Sequence, residues 1–191
     1  MSLRFVLLSL LSKEPDTGYG LGRTLHNQLN HLWDARLQQI YSELGKLETQ
    51  GMVEAESIAL QNRPAKKIYS LTPAGNNALD LWLAEPPAPA PSKNDFLVRL
   101  YCLERIPIDV IIRRLQEQRD TYENKARELR HKLEETRRAD PTELGHILTL
   151  EAALAHAEML TLWCAGALSR IQEAAQTPPA QYQATVPAAG T

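Results

Sequence analysis

Nine polar residues fall into two groups suited to recognition rather than bond making. Arg36, Gln38, Gln39, Tyr41, Ser42 and Lys46 lie in one stretch of helical period, Ala35–Gly51, and Arg63, Lys66 and Lys67 follow in a segment of turn residues and short apolar runs. Arg and Gln side chains pair bidentately with guanine and adenine edges, while Ser and Lys suit phosphate oxygens. No Ser/His/Asp, Cys/His or paired-carboxylate arrangement is readable, so the chain is not expected to be an enzyme and no cofactor is expected. Cys102 and Cys164 form no C-x-x-C pair, and His131, His146 and His156 are scattered with no i, i+4 pair, so no metal site is expected either.

The first group needs a helix to hold it. Leu37, Ile40, Leu44 and Leu47 fall on one face of residues 35–50, with Tyr41 on the shoulder of that stripe. Asp34 suits the N-cap and Gly51 the C′ position. Any amphipathic helix has a polar face, so the helix alone does not decide the function. The second group sits in MVEAESI–QNRPA–KKIYSLT, where Met52, Val53 and Ile58 face Ile68, Tyr69 and Leu71 across the turn residues Asn62 and Pro64. A capped helix feeding a hairpin with cations near its tip outlines a winged helix, a helix-turn-helix variant that lays one helix in the DNA major groove. Cations on a small hairpin also serve as solubilising edge charges. Tyr41 suits either a core position or a phosphate contact, and Trp33 reads as core.

The rest of the chain supplies the frame. Ser2–Leu11 reads as a core helix with Leu3, Val6, Leu7 and Leu10 inward; it is far short of the about 20 apolar residues of a bilayer span, and no membrane partner is expected. A second helix runs from Thr17 to about Leu29. Gly18 and Gly20 in its first turn suit close packing, not a phosphate loop. Thr72 caps a helix over Pro73–Glu85 with Ala78, Leu79, Trp82 and Leu83 inward. The expected division is 1–85, a Pro/Ala-rich linker 86–94, a helical region 95–176 and a disordered tail 177–191. The helical region reads as Phe96–Arg105, then a helix from Pro107 to about Arg138 with Ile108, Ile111, Ile112, Leu115, Tyr122, Ala126, Leu129 and Leu133 as its stripe. A third helix, Thr142–Gln176, carries Leu144, Ile147, Leu148, Leu154, Leu162, Ala165 and Leu168. An antiparallel pair of this length buries a remaining stripe against a second copy. Tyr101, Trp163 and Cys164 suit an effector pocket between helices, or plain packing. The fold class is therefore mostly α: an N-terminal winged helix-turn-helix with a two- or three-stranded β wing, then long antiparallel helices.

Net charge is −2, and residues 1–85 hold eight Lys/Arg against nine Asp/Glu. Position matters more than the sum, and Arg36, Lys46, Arg63, Lys66 and Lys67 cluster on the helix and hairpin. The deficit predicts modest, salt-dependent affinity for one subunit, hence a dimer.

These residues also resemble a known family. Thr17-Gly18-Tyr19-Gly20-Leu21, Leu32-Trp33, Gln39-Ile40-Tyr41-Ser42-Glu43-Leu44, Lys46-Leu47-Glu48 and Gly51-Met52-Val53 are similar to the N-terminal domain of PadR-type transcriptional regulators. Arg63 through Gly75 resembles their wing and next helix start, and Asp95–Leu100 with Leu162-Trp163 resembles the dimerisation domain of the longer members. The likeness covers roughly residues 1–172. It implies a bacterial cytoplasmic homodimer, usually a repressor, with some members answering to small phenolic or drug-like molecules. Carried over by position, Tyr41 and its helix neighbours, with Arg63, Lys66 and Lys67, contact DNA. Gly45 departs from the pattern, since relatives often have Lys or Arg there.

The expected partners are therefore double-stranded DNA carrying a pseudo-palindromic operator, a second copy of the chain, and a small aromatic effector. The main rival is a winged-helix interaction scaffold without specific DNA binding, which the near-neutral charge favours.

Overall fold

The helix that carries the first polar group, α3, runs Leu37–Thr49. It starts later than the periodicity predicts, and its N-cap is Arg36, not Asp34. The cause is Gln39: Arg36 N donates to Gln39 Oε1 at 2.8 Å, the return half of a capping box. Ile40, Leu44 and Leu47 are fully buried, but Leu37, in the first turn, stays 42% exposed, against expectation. The helix stops at Gly51, which takes φ +68°, with Gly51 N donating to Glu48 O at 3.0 Å and Met52 N to Leu47 O at 2.9 Å. That is a Schellman ending, which a residue without Cβ adopts at no steric cost.

The computed structural model describes residues 3–60, 63–87 and 94–176, with the backbone alone at 59–60 and 63–65. The chain forms two compact units, Met1–Ser92 and Lys93–Thr191. Residues 88–93 of the expected linker, the expected tail 177–191 and the turn residue Asn62 lie outside the described residues.

In the first unit, α1 (Leu3–Leu11) sits centrally, touching α3 and the later hairpin and helix. It therefore buries Leu8 and Leu11 besides the expected Val6, Leu7 and Leu10. A two-residue strand, β1 (Asp16–Thr17), then leads into α2 (Gly18–Gln28), whose Gly20 N donates to Thr17 Oγ1 at 3.0 Å as an N-cap bond. After α3 come β2 (Val53–Leu60) and β3 (Arg63–Leu71), and β3 lies between β1 and β2 in an antiparallel sheet. Asp16 pairs with Tyr69, Val53 with Leu71 and Ser57 with Lys67. Leu60 pairs with Arg63, so Arg63 and Pro64 belong to the strand rather than to the turn, with a bulge between Ile58 and Leu60. Thr72 caps α4 (Pro73–Ala84), accepting from Gly75 N at 3.1 Å. Trp82 stacks on Phe5 with centroids 4.7 Å apart, which fills the contact at the last turn. Leu83, about 100° further round, is left 63% exposed rather than inward.

In the second unit α5 (Asp95–Tyr101) is capped by Asn94 and gives way to a 3-10 turn at Leu103–Arg105. The continuous helix expected to Arg105 is cut at Cys102, which leaves the helical range at φ −100°, ψ 33°, and Ile106 is extended before Pro107. Two long helices then pack together: α6 (Ile108–Ala139, 32 residues) and α7 (Leu144–Gln176, 33 residues). They run antiparallel, since Ile111 and Leu115 meet Cys164 and Leu168 while Leu129 and Leu133 meet Ile147 and Leu150. Arg130–Glu158 and Arg137–Glu151 ion pairs flank the seam. Of the expected α7 stripe, Ile147 and Leu168 are inward, but Leu144, Leu148, Leu162 and Ala165 are exposed, as is Ile108 on α6. The α7 residues that pack on α6 include Leu150, Ala157 and Cys164 instead. A helix this apolar gives no single stripe to read. By length and composition α7 could also cross a bilayer, but α6 covers one side of it.

Candidate nucleic-acid interface

On α3 the buried triad fixes which side chains face outward. Arg36, Gln38, Gln39, Tyr41, Ser42, Lys46 and Thr49 are all exposed. Ser42, Gly45, Lys46 and Thr49 line a shallow groove of about 320 Å³, and a Cβ at Gly45 would meet nothing within 4 Å. Gln39 is partly committed, because its Oε1 accepts from Arg36 N. Lys46 is paired with Glu43 at 3.1 Å, and Arg4 Nε approaches the same carboxylate at 3.7 Å.

The wing contributes Lys66 and Lys67 as exposed side chains on β3. Lys67 Nζ lies 3.4 Å from both carboxylate oxygens of Glu48, which ties the wing to α3. Such half-exposed pairs are worth about 0–1 kcal/mol, so DNA phosphates can compete for the ammonium. The Arg63 side chain lies outside the described residues. Tyr69, inward on β3, has its hydroxyl pKa raised, chiefly by burial and against the pull of Lys67.

Tyr41 is half packed and half exposed. Its ring packs on α2, where a Cβ at Gly18 would come within 2.5 Å of Tyr41 Cε1, yet the residue remains 46% exposed. Glycine at 18 is what permits this approach of α2 to α3. Beside the ring lies an open cleft of about 550 Å³, lined by Tyr19 and Arg23 of α2, Tyr41 of α3, and Lys66, Lys67 and Tyr69 of β3, with Asp16 at its edge. Tyr19 and Arg23 were not among the residues expected from sequence. Their signal is weak but present: they stand four apart on α2, away from the buried Leu21 and Leu25.

In the second unit Cys164 is fully buried, its thiol pKa raised by that burial, and Trp163 packs against the same cluster. Tyr101 is 88% exposed. A separate cavity of about 440 Å³ is lined by Leu103, Ile106, Ile108, Arg170 and Ile171 among others. Among the described residues no three His, Cys, Asp or Glu side chains gather as metal ligands.

Comparison with known proteins accounts for both units. Residues 7–81 match the model of the transcriptional regulator PadR-like family, and residues 92–172 match that of the virulence activator alpha C-terminal domain. The negative transcriptional regulator PadR of Bacillus subtilis is 27% identical over 188 residues, covering 90% of this chain and 98% of that protein. The crystal structure of B. subtilis PadR with operator DNA superposes with a TM-score of 0.81 at 26% identity, over 88% of this chain and 98% of that one. Its complex with p-coumaric acid gives 0.77 at 26% identity, over 89% and 98%. The chain belongs to the PadR-like family, in its long form with a helical C-terminal domain: a winged-helix, DNA-binding transcriptional regulator and not an enzyme.

Proposed function

We propose that this protein is a cytoplasmic dimeric repressor that binds a pseudo-palindromic operator and is released by a small aromatic effector. The observation that carries the reading is the exposed polar face of α3, flanked by the Lys66–Lys67 wing, in a fold close to that of a relative crystallised on operator DNA. In this reading Arg36, Gln38 and Gln39 face base edges. Tyr41, Ser42, Lys46, Arg63, Lys66 and Lys67 meet the backbone.

The dimer is supported by α7. Leu148, Ala152, Ala155, Met159, Leu162 and Gly166 are all exposed and follow a 4-3 spacing along the side of the helix not packed on α6. That is the seam a second helix fills. Two subunits then present two α3 helices to successive major grooves, and the helical units set their spacing.

The effector is supported by the relative that binds p-coumaric acid, a phenolic acid. Tyr101, Trp163 and Cys164 are the candidate residues for it. An effector that shifts the helical units misplaces one α3 and weakens the complex.

The test is a titration of p-coumaric acid and other aromatic acids into a complex of the full chain with a duplex selected from genomic fragments, followed by light scattering. Two chains per duplex and dissociation by one of the acids are expected. A complex of one chain per duplex overturns the dimer. Indifference to every acid tried removes the sensing step and leaves DNA binding intact.

A further inference from the structure

We propose that the cleft between α2, α3 and the wing holds one backbone phosphate of the bound duplex, clamped by Arg23 and Lys66 with the hydroxyls of Tyr19 and Tyr41. The inference rests on the DNA-binding reading above and assigns a task to α2 that the helix face and wing alone do not supply.

Lys46 is paired with Glu43, Lys67 with Glu48, and Arg4 lies against Glu43 and Gln50. Among the described residues Arg23 and Lys66 have no carboxylate within ion-pair distance, and both line this cleft. Tyr19 is 64% exposed and Tyr41 46%, so two tyrosines stand partly in solvent on the lining of this cationic cleft. The lining holds one carboxylate, Asp16, whose Oδ1 accepts from Thr17 N at 2.7 Å. With Lys67 paired to Glu48, Arg23 and Lys66 against Asp16 still leave the cleft positive. A phosphodiester, with two non-bridging oxygens that accept from several donors at once, fits cationic and hydroxyl groups gathered from three elements.

The walls of the cleft are also tied to one another. Pairing of Asp16 with Tyr69 and Thr17 with Ile68 fastens the start of α2 to the wing strand. The Tyr41 ring is set against Gly18 from the other side. The two-residue strand β1 and the glycine thus have a common effect: they hold Tyr19, Arg23, Tyr41 and Lys66 around one opening. A phosphate seated there carries no sequence information. It fixes the depth and rotation of α3 in the groove, and the outward residues of α3 read bases from that position.

The test uses the full chain and the duplex selected by the wild type, compared with a scrambled duplex over a salt series. Arg23→Gln is expected to weaken binding to both duplexes by the same factor, about tenfold per subunit. It should also reduce the slope of log affinity against log salt by about 0.9 per subunit. Tyr19→Phe should weaken both duplexes equally and leave the slope unchanged. Replacing single phosphates by uncharged methylphosphonate should reveal one position per half-site where the wild type loses affinity and Arg23→Gln does not. Both side chains are exposed, and circular dichroism checks that each variant is folded. Unchanged affinity and slope in Arg23→Gln, with a wild type that prefers its selected duplex, overturns the clamp and leaves DNA recognition standing. A loss confined to the selected duplex makes Arg23 a base reader and also overturns it. A wild type that selects no duplex overturns both readings.

Discussion

Gly45→Ala should stabilise this protein, although it alters the middle of the helix proposed to read DNA. Gly45 lies inside α3, four residues before its last residue, and is exposed. A Cβ there meets nothing within 4 Å, so the substitution carries no steric cost. The substitution keeps the Gly45 carbonyl that accepts from Thr49 Oγ1 at 2.8 Å. What remains is the propensity difference between glycine and alanine in a helix interior, about 1 kcal/mol. In a unit of this size that raises the melting temperature by about 4–8 °C. The assay is a thermal scan of the full chain by circular dichroism, with wild type alongside. A melting point that stays level or falls would refute the reasoning, since it would mean that something covers the position or that its backbone is strained. The same variant fills part of the groove between Ser42, Lys46 and Thr49. Its DNA affinity, measured separately, tells whether a base edge uses that space.

Gly18→Ala, the same change at a contact of 2.5 Å with Tyr41 Cε1, should do the opposite: it costs about 1–3 kcal/mol by overpacking and lowers DNA affinity as the ring is pushed out, read by melting and anisotropy together. Glu48→Gln removes the carboxylate 3.4 Å from Lys67 Nζ and should tighten DNA binding about two- to fivefold with a steeper salt dependence; equal or weaker binding would show that the Glu48–Lys67 contact positions the wing rather than occupying its charge. Leu162→Glu, at a site 74% exposed on the free side of α7, should leave the helical content unchanged and yield monomers by analytical ultracentrifugation; a dimer that persists places the self-association elsewhere.

The parts legible in the sequence were those fixed by local chemistry. Gly51 ended α3 because a C′ residue with positive φ favours glycine, and Thr72-Pro73 began α4 because an N-cap hydroxyl and a donor-free first residue suit any helix start. The Ile40–Leu44–Leu47 face followed from period alone. The start of α3 was misplaced by two residues, since Asp34 has the side chain of an N-cap and Arg36 does not; the bond from Arg36 N to Gln39 Oε1 sets the start instead. Strand β1 was not legible, because two residues have no period and Asp16–Thr17 is a strand only by virtue of Tyr69 and Ile68 more than fifty residues away. The α7 face could not be chosen from a sequence apolar on both sides; α6 chose it. Tyr19 and Arg23 were missed for the same reason: nothing near them in the chain says that β3 brings Lys66 beside them.

The central claim is that α3 and the wing read a specific DNA sequence. Its most direct test is fluorescence anisotropy of the full chain on its own upstream duplex and on a scrambled one, at two salt concentrations, with the wild type and Lys66→Ala/Lys67→Ala. The account predicts a clear preference for the upstream duplex, a steep loss of affinity with salt, and a further loss in the double variant with a shallower salt slope. Equal binding to both duplexes, unmoved by the loss of the two wing lysines, would contradict it and favour a winged helix that binds another protein.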